Sequence, residues 1–98
     1  MLYKIHKSYR DTVAICDKEL IGKVFEEDEY QLDVKESFYK GEEISEQKAS
    51  EIMKDMIKED ATFNIVGEKS VQIALDCGVI AEEGIKKIQG VPFAMILM

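Results

Sequence analysis

The chain is short of the residues from which small proteins build reactive centres and covalent frames. Its 98 residues include two cysteines, one histidine and one proline. Cys16 and Cys77 each stand alone among apolar neighbours. A disulfide framework would need more cysteines in a chain this short, so two core thiols are expected. Neither has the flanking cations that lower a thiol pKa, so neither reads as a nucleophile. With His6 as the sole histidine and no CxxC spacing, a transition-metal site has no ligand set. His6 would also have to serve as the base of any hydrolytic triad. Ser8, Ser37, Ser45, Ser50 and Ser70 all lack a nucleophile-elbow context. Long apolar runs are missing too: Val91 to Met98 is the longest and is too short to span a bilayer. Met1-Leu2-Tyr3-Lys4 leads into alternating polar residues rather than a signal sequence. A soluble, cytoplasmic protein without metal or cofactor is expected.

What is present is charge. Charged residues make up 34% of the chain and hydrophobic residues 46%, enough for one core under a strongly ionised surface. The net charge of −7 is polarised along the sequence. Residues 1–23 carry five basic and three acidic groups, whereas residues 24–60 carry five basic and thirteen acidic groups, or −8. Residues 61–98 are close to balanced, with three basic and four acidic groups. A middle this acidic repels a phosphate backbone, which argues against broad nucleic-acid binding. The run Glu26-Glu27-Asp28-Glu29 lacks the spacing and central glycine of a calcium loop and reads as a solvated turn. Gly22-Lys23 resembles the end of a phosphate loop without its body: no glycine lies five residues earlier, and Val24 stands where Ser or Thr would hold magnesium.

The periodicity predicts an α+β domain spanning residues 1–98. Alternation over residues 2–9 and the β-branched run Thr12-Val13-Ala14-Ile15-Cys16 predict an N-terminal hairpin turning at Arg10-Asp11. Asp17 is placed to cap a short turn through Ile21, ended by Gly22. Residues 23–28 and 30–36 are strand-like, and Ser37 to Gly41 reads as a loop with two adjacent aromatics. Ser45 is a natural N-cap for a helix to about Glu59, whose apolar stripe is Ala49, Ile52, Met53, Met56 and Ile57. A second helix is expected from Glu68 to Cys77, with Gly78 just past its end. Ile85 to Ile88 and Val91 to Met98 read as a C-terminal hairpin bent at Gly90. Pro92, which cannot donate to a ladder, belongs at a strand start or edge. The expected architecture is a two-layer sandwich. A mostly antiparallel sheet, with N- and C-terminal hairpins, carries two helices on one face.

Five blocks carry a family likeness. They are Gly22-Lys23-Val24-Phe25-Glu26-Glu27, Leu32-Asp33-Val34, Phe38-Tyr39-Lys40-Gly41, Asn64-Ile65-Val66-Gly67-Glu68 and Gly90-Val91-Pro92. In order and spacing the chain resembles, over nearly its whole length, the small archaeal proteins grouped as domain of unknown function 424. The resemblance implies a compact α+β domain and supplies no activity. The final residues, Phe93 to Met98, are more apolar than that pattern.

The candidate binding residues are therefore Lys23, Phe38, Tyr39, Asn64, Glu68 and Pro92. Asn64 is the most conspicuous, because an amide among Phe63, Ile65 and Val66 must be hydrogen-bonded if it is buried. A cap or brace at the start of the second helix is the expected role. Of the pair Phe38-Tyr39, adjacent side chains on an extended segment face opposite ways, which would leave one ring available to a partner. No catalytic set emerges. The leading expectation is a non-catalytic binding module within a larger protein or ribonucleoprotein assembly, in a translation setting. Two alternatives stand beside it: a small-molecule binder or small enzyme with a pocket near Asn64 and Lys23, and a homodimer formed through the C-terminal strand.

Overall fold

The computed structural model describes residues 1–96. Its strands are β1 (Leu2–His6), β2 (Thr12–Cys16), β3 (Val24–Glu27), β4 (Tyr30–Asp33), β5 (Glu42–Glu43), β6 (Thr62–Val66), β7 (Lys86–Ile88) and β8 (Val91–Ile96). The helices are α1 (Glu36–Tyr39), α2 (Glu46–Lys58) and α3 (Glu68–Asp76). Six strands form one sheet in the order β5-β1-β2-β6-β8-β7, and β3 pairs with β4 in a separate two-stranded sheet. Every pairing is antiparallel except β2 with β6.

The α+β expectation, with hairpins at both ends and two helices on one face, matches this architecture. Local boundaries differ. The first strand stops at His6, and Lys7 to Asp11 form a loop held by the Lys7–Asp11 ion pair at 3.1 Å and by Ser8 Oγ donating to the Arg10 carbonyl at 2.6 Å. The aromatic segment predicted as a loop is one turn of helix, because the amides of Phe38 and Tyr39 both donate to the Lys35 carbonyl. Ser45 caps α2 as expected, accepting from the Lys48 amide at 3.1 Å. Gly78 takes the left-handed conformation past α3, with φ +76°.

The apolar run of β2 and the Ile65-Val66 end of β6 follow from coverage on both faces. On one face Val13, Ile15, Phe63, Ile65 and Ala94 meet Met53 of α2 and Val71 and Ala74 of α3. On the other, Leu2, Ala14, Cys16 and Val66 meet Leu32, Val34 and Tyr39, brought by the β3–β4 hairpin and α1. This second cover adds a partial third layer to the two predicted. Inside it Cys16 is fully enclosed. Burial, reinforced by the neighbouring Asp17 carboxylate, pushes its thiol up to about 12. Burial, with a smaller contribution from Cys16, also pushes the Tyr39 phenol up to about 12.

The two faces are tied together by Asp17, which is buried at the end of β2. Its predicted role as a local cap is not what the structure shows: the following 3-10 turn, Lys18–Leu20, receives no hydrogen bond from its side chain. The carboxylate instead caps α3. Oδ2 accepts from the Lys69 amide at 3.1 Å, and Oδ1 accepts from the Ser70 amide at 2.9 Å and the Ser70 hydroxyl at 2.7 Å. A negative charge at the positive end of a helix, meeting otherwise unpaired amides, is favourable on both counts. Gly67 makes room for it. It sits at the N-cap position with φ +110°, and a Cβ there would overlap the Asp17 carboxylate.

Two outcomes follow. Asp17→Ala removes three hydrogen bonds to a buried helix start and should cost about 2–4 kcal/mol. That corresponds to a fall in thermal midpoint of about 10–25 °C by circular dichroism, with Asp17→Asn falling less. A midpoint unchanged in Asp17→Ala would show that α3 needs no cap. The second outcome concerns alkali. Both Cys16 and Tyr39 are raised above their ordinary values of 9.0 and 10.0. Folding therefore favours their neutral forms, and that stability is complete below pH 9 and lost as pH climbs toward 12. Denaturant midpoints should fall steadily from pH 9 to 11, and less steeply in Cys16→Ala.

Candidate functional site

The six sequence-derived candidates do not converge on one spot. Glu68, the exposed first residue of α3, and Pro92, buried in β8, line a common cavity of about 150 Å³ with Asp17, Glu19 and Leu20. Lys23, Phe38, Tyr39 and Asn64 do not line it. Lys23 is exposed at the base of the β3–β4 hairpin, where its carbonyl accepts from the Val34 amide at 2.9 Å and its amide donates to the Leu20 carbonyl at 3.1 Å. Those bonds make its backbone structural. Tyr39 is buried in the core of the second face.

Phe38 is half-buried, and its partner is the sole histidine. The His6 and Phe38 rings stack with centroids 4.4 Å apart and planes 19° apart. His6 Nε2 lies 2.8 Å from the Phe38 carbonyl. A carbonyl only accepts, so Nε2 carries the proton and donates. Lys4, one row along the same face of β1, donates through Nζ to the Ser37 carbonyl at 3.0 Å. His6 and Lys4 thus anchor α1 over the β1–β2 edge of the sheet, which gives the histidine a structural task.

Asn64 departs most from expectation. It lies in the middle of β6, opposite Ala14 on one side and Met95 on the other, four residues before the first residue of the helix it was predicted to brace. The cap is Asp17. Asn64 points to the second face, away from Phe63 and Ile65, and is half-buried. Its amide makes no hydrogen bond to a described residue, and among the described residues no unpartnered polar side-chain atom is sealed from solvent. The amide therefore opens to water on a sheet face.

Coverage explains this. On the second face α1 lies against β1 and β2, while the β3–β4 hairpin contacts β7. Between them β6 and β8 are roofed only toward Cys16 and Val66. Beyond that end the floor consists of Asn64, the Thr12–Thr62 hydroxyl pair at 2.9 Å, and Met95, which is 55% exposed. Phe93, opposite Val66 and half-buried, borders a cleft of about 170 Å³ between the two sheets. Tyr30, 74% exposed on the inner side of the hairpin tip, forms the other wall. Sequence reading missed Met95, Phe93 and Tyr30 as a group. The only available signal was that the apolar C-terminal run exceeds what one buried strand face requires. Its last residues, 97–98, lie outside the described residues.

Among the described residues, no three His, Cys, Asp or Glu side chains are placed to hold a metal ion. No helix there is long and apolar enough to cross a membrane. The arrangement offers apolar contact, one solvent-facing amide and exposed charge.

No curated protein matches the chain. Among solved structures, the crystal structure of an uncharacterized conserved protein from Methanopyrus kandleri superposes with a TM-score of 0.85 at 25% identity, covering 97% of this chain and 88% of that one. The family described as "Protein of unknown function (DUF424)" matches residues 6–98. That match takes in the three helices, the open floor and every strand except most of β1, and the chain belongs to this family.

Proposed function

We propose that the protein is a non-catalytic binding module that joins a larger assembly through the open part of its second sheet face. The observation that carries this reading is the pairing of Asn64 with Met95. A half-buried amide without a hydrogen-bond partner among the described residues lies beside a large exposed apolar side chain on the middle strands of a sheet. Exposed apolar area next to unused hydrogen-bonding capacity is what a partner can cover at low desolvation cost. The partner is taken to be a protein. The strongly acidic middle of the chain would oppose a nucleic-acid backbone at close range. A cytoplasmic ribonucleoprotein or translation complex is the setting proposed.

A pocket uniting Asn64 with Lys23 receives no support, since Lys23 precedes β3, is turned to solvent and, among the described residues, lines no cavity with Asn64. Dimerisation through the C-terminal strand would have to use its outer edge beyond Phe93, because β8 is already flanked by β6 and β7.

Affinity capture at moderate salt tests the proposal, with the wild type run beside Met95→Lys and Asn64→Asp. Both positions reach solvent, so the variants should stay folded. A protein recovered reproducibly with the wild type and depleted about tenfold or more with Met95→Lys is the expected result, since burying such a side chain is worth about 1.5–3 kcal/mol. Equal recovery with all three baits would place binding elsewhere. A metabolite thermal-shift screen addresses the small-molecule alternative, in which ligand at a hundred times its Kd should stabilise by about 2.7 kcal/mol. A flat screen is expected.

A further inference from the structure

The cleft between the two sheets has the features of an anchor site. Its volume, about 170 Å³, is close to the roughly 150 Å³ cavity that accepts a benzene ring in an engineered protein core. Its apolar lining is Tyr30 from the hairpin, with Phe93 and Ile88 from the main sheet. Ile88 is buried and belongs to the second core, so the cleft is the open end of that core. Tyr30 stands 74% exposed at its wall. The hairpin is held at this height by Glu27, whose Oε1 accepts from the Gln89 amide at 2.8 Å, and by Gln89 Nε2 donating to the Glu26 carbonyl. The gap is thus fixed by bonds at its rim.

The rim also carries charge. Glu26, Glu27, Asp28 and Glu29 are consecutive and exposed at the hairpin tip, and Glu27 and Asp28 line the cleft. Lys86 and Lys87 line the opposite wall and form no ion pair with a described residue. Lys86 lies opposite Phe93 on the floor, whereas Lys87 lies opposite Pro92, on the helix-bearing side. At the cleft itself Glu27 and Asp28 balance the two lysines. Glu29, and Glu26 bonded to Gln31 on the hairpin's outer face, add two further carboxylates that leave the tip acidic, in a chain of net charge −7. A polyanion would meet that acidic tip with every phosphate placed near Tyr30. A cationic segment would be attracted by it.

From this combination we infer that the Tyr30–Phe93 cleft binds an extended basic segment of a partner protein, which inserts one aromatic or large aliphatic side chain between the sheets. The inserted group fills the end of the second core. Flanking lysines or arginines face the tip carboxylates, and Lys86 donates to a backbone carbonyl of the segment. Phe93 and Met95 are alternate residues on one face of β8, so the cleft and the Asn64 floor form one surface. The inference rests on the proposed binding role and names the chemistry of its partner.

The test is an amide-resolved NMR titration of the full chain with a capped peptide, phenylalanine flanked by two lysines on each side. Saturable shifts at residues 27–31 and 86–95 are expected. An alanine-centred peptide should bind roughly tenfold or more weakly, and a glutamate-flanked one should not saturate. Glu29→Lys, on the exposed turn, should weaken binding about two- to fivefold, and Tyr30→Ser should weaken it further. Spectra elsewhere would confirm that both variants are folded. Equal binding of phenylalanine and alanine peptides, shifts outside the cleft, or no shifts at millimolar peptide would overturn the assignment. Tighter binding by an oligouridylate of matched length would overturn it as well. If capture depends on Met95 while the peptide titration is flat, the anchor chemistry is wrong and the binding role stands. If both are flat, both fail.

Discussion

The Asp17 carboxylate is the point on which the arrangement of layers turns. It ends the central strand β2, and through three hydrogen bonds it fixes the first turn of α3. The neighbouring backbone completes the junction: the Asp17 amide donates to the Val66 carbonyl at 3.0 Å, and the Gly67 amide donates to the Pro92 carbonyl at 2.9 Å. Three segments distant in sequence (the ends of β2 and β6 and the start of β8) therefore meet around one buried charge. A buried carboxylate with no compensating donors would cost several kcal/mol. Here the free amides of a helix start supply them, and each defect resolves the other. Gly67 is the geometric condition, since any side chain there would occupy the carboxylate's space.

This junction also sets what the sheet can offer outward. With α3 docked directly after β6, and α2 beside it, one face is filled by Met53, Phe63, Ile65 and Ala74. The other face must be closed by what remains between β2 and β6 in sequence, a four-residue helix and a short hairpin. They cover the end near Cys16 and Val66 and anchor at the two sides, through His6 and Lys4 on one side and Gln89 on the other. The middle strands toward Asn64 and Met95 are left uncovered, so the opening reflects how little chain was available to cover that face.

Much of the framework was legible because it is local. The Ser45 cap, the stripe from Ala49 to Ile57 and the glycine past α3 are each written within a few residues of where they act. Asp17 was misread for the opposite reason. Its spacing to Gly22 fits a local turn, while its actual donors lie more than fifty positions away. A trace of the true role was present, since Gly67 precedes an apolar-periodic helix without a capping side chain, which implies a cap from elsewhere. Asn64 was recognised as unusual and assigned to the wrong task. Nearness to Gly67 suggested a helix start, but a residue in mid-strand alternates by face, and Asn64 shares its face with Val66 rather than with Ile65.

Alternation gives Asn64 a further meaning. Three polar side chains on the middle strands, Thr12, Thr62 and Asn64, share one face, and all three fall where the hairpin and α1 stop. Ala14 and Cys16, on the same face of β2, fall where cover continues and are fully buried. The switch from polar to apolar along these strands therefore marks the boundary of the second core. Thr12 and Thr62 resolve their own polarity by bonding to each other at 2.9 Å. Asn64 has Ala14 on one side and Met95 on the other; the first offers no polar atom and the second only a weakly accepting thioether. Folding alone would be served as well by a threonine or a valine at this position, both of which suit a half-buried strand better than asparagine. An amide placed where it weakens strand propensity and gains no bond from a described residue is a cost that the proposed binding role would offset, with the exposed Met95 beside it on the same face.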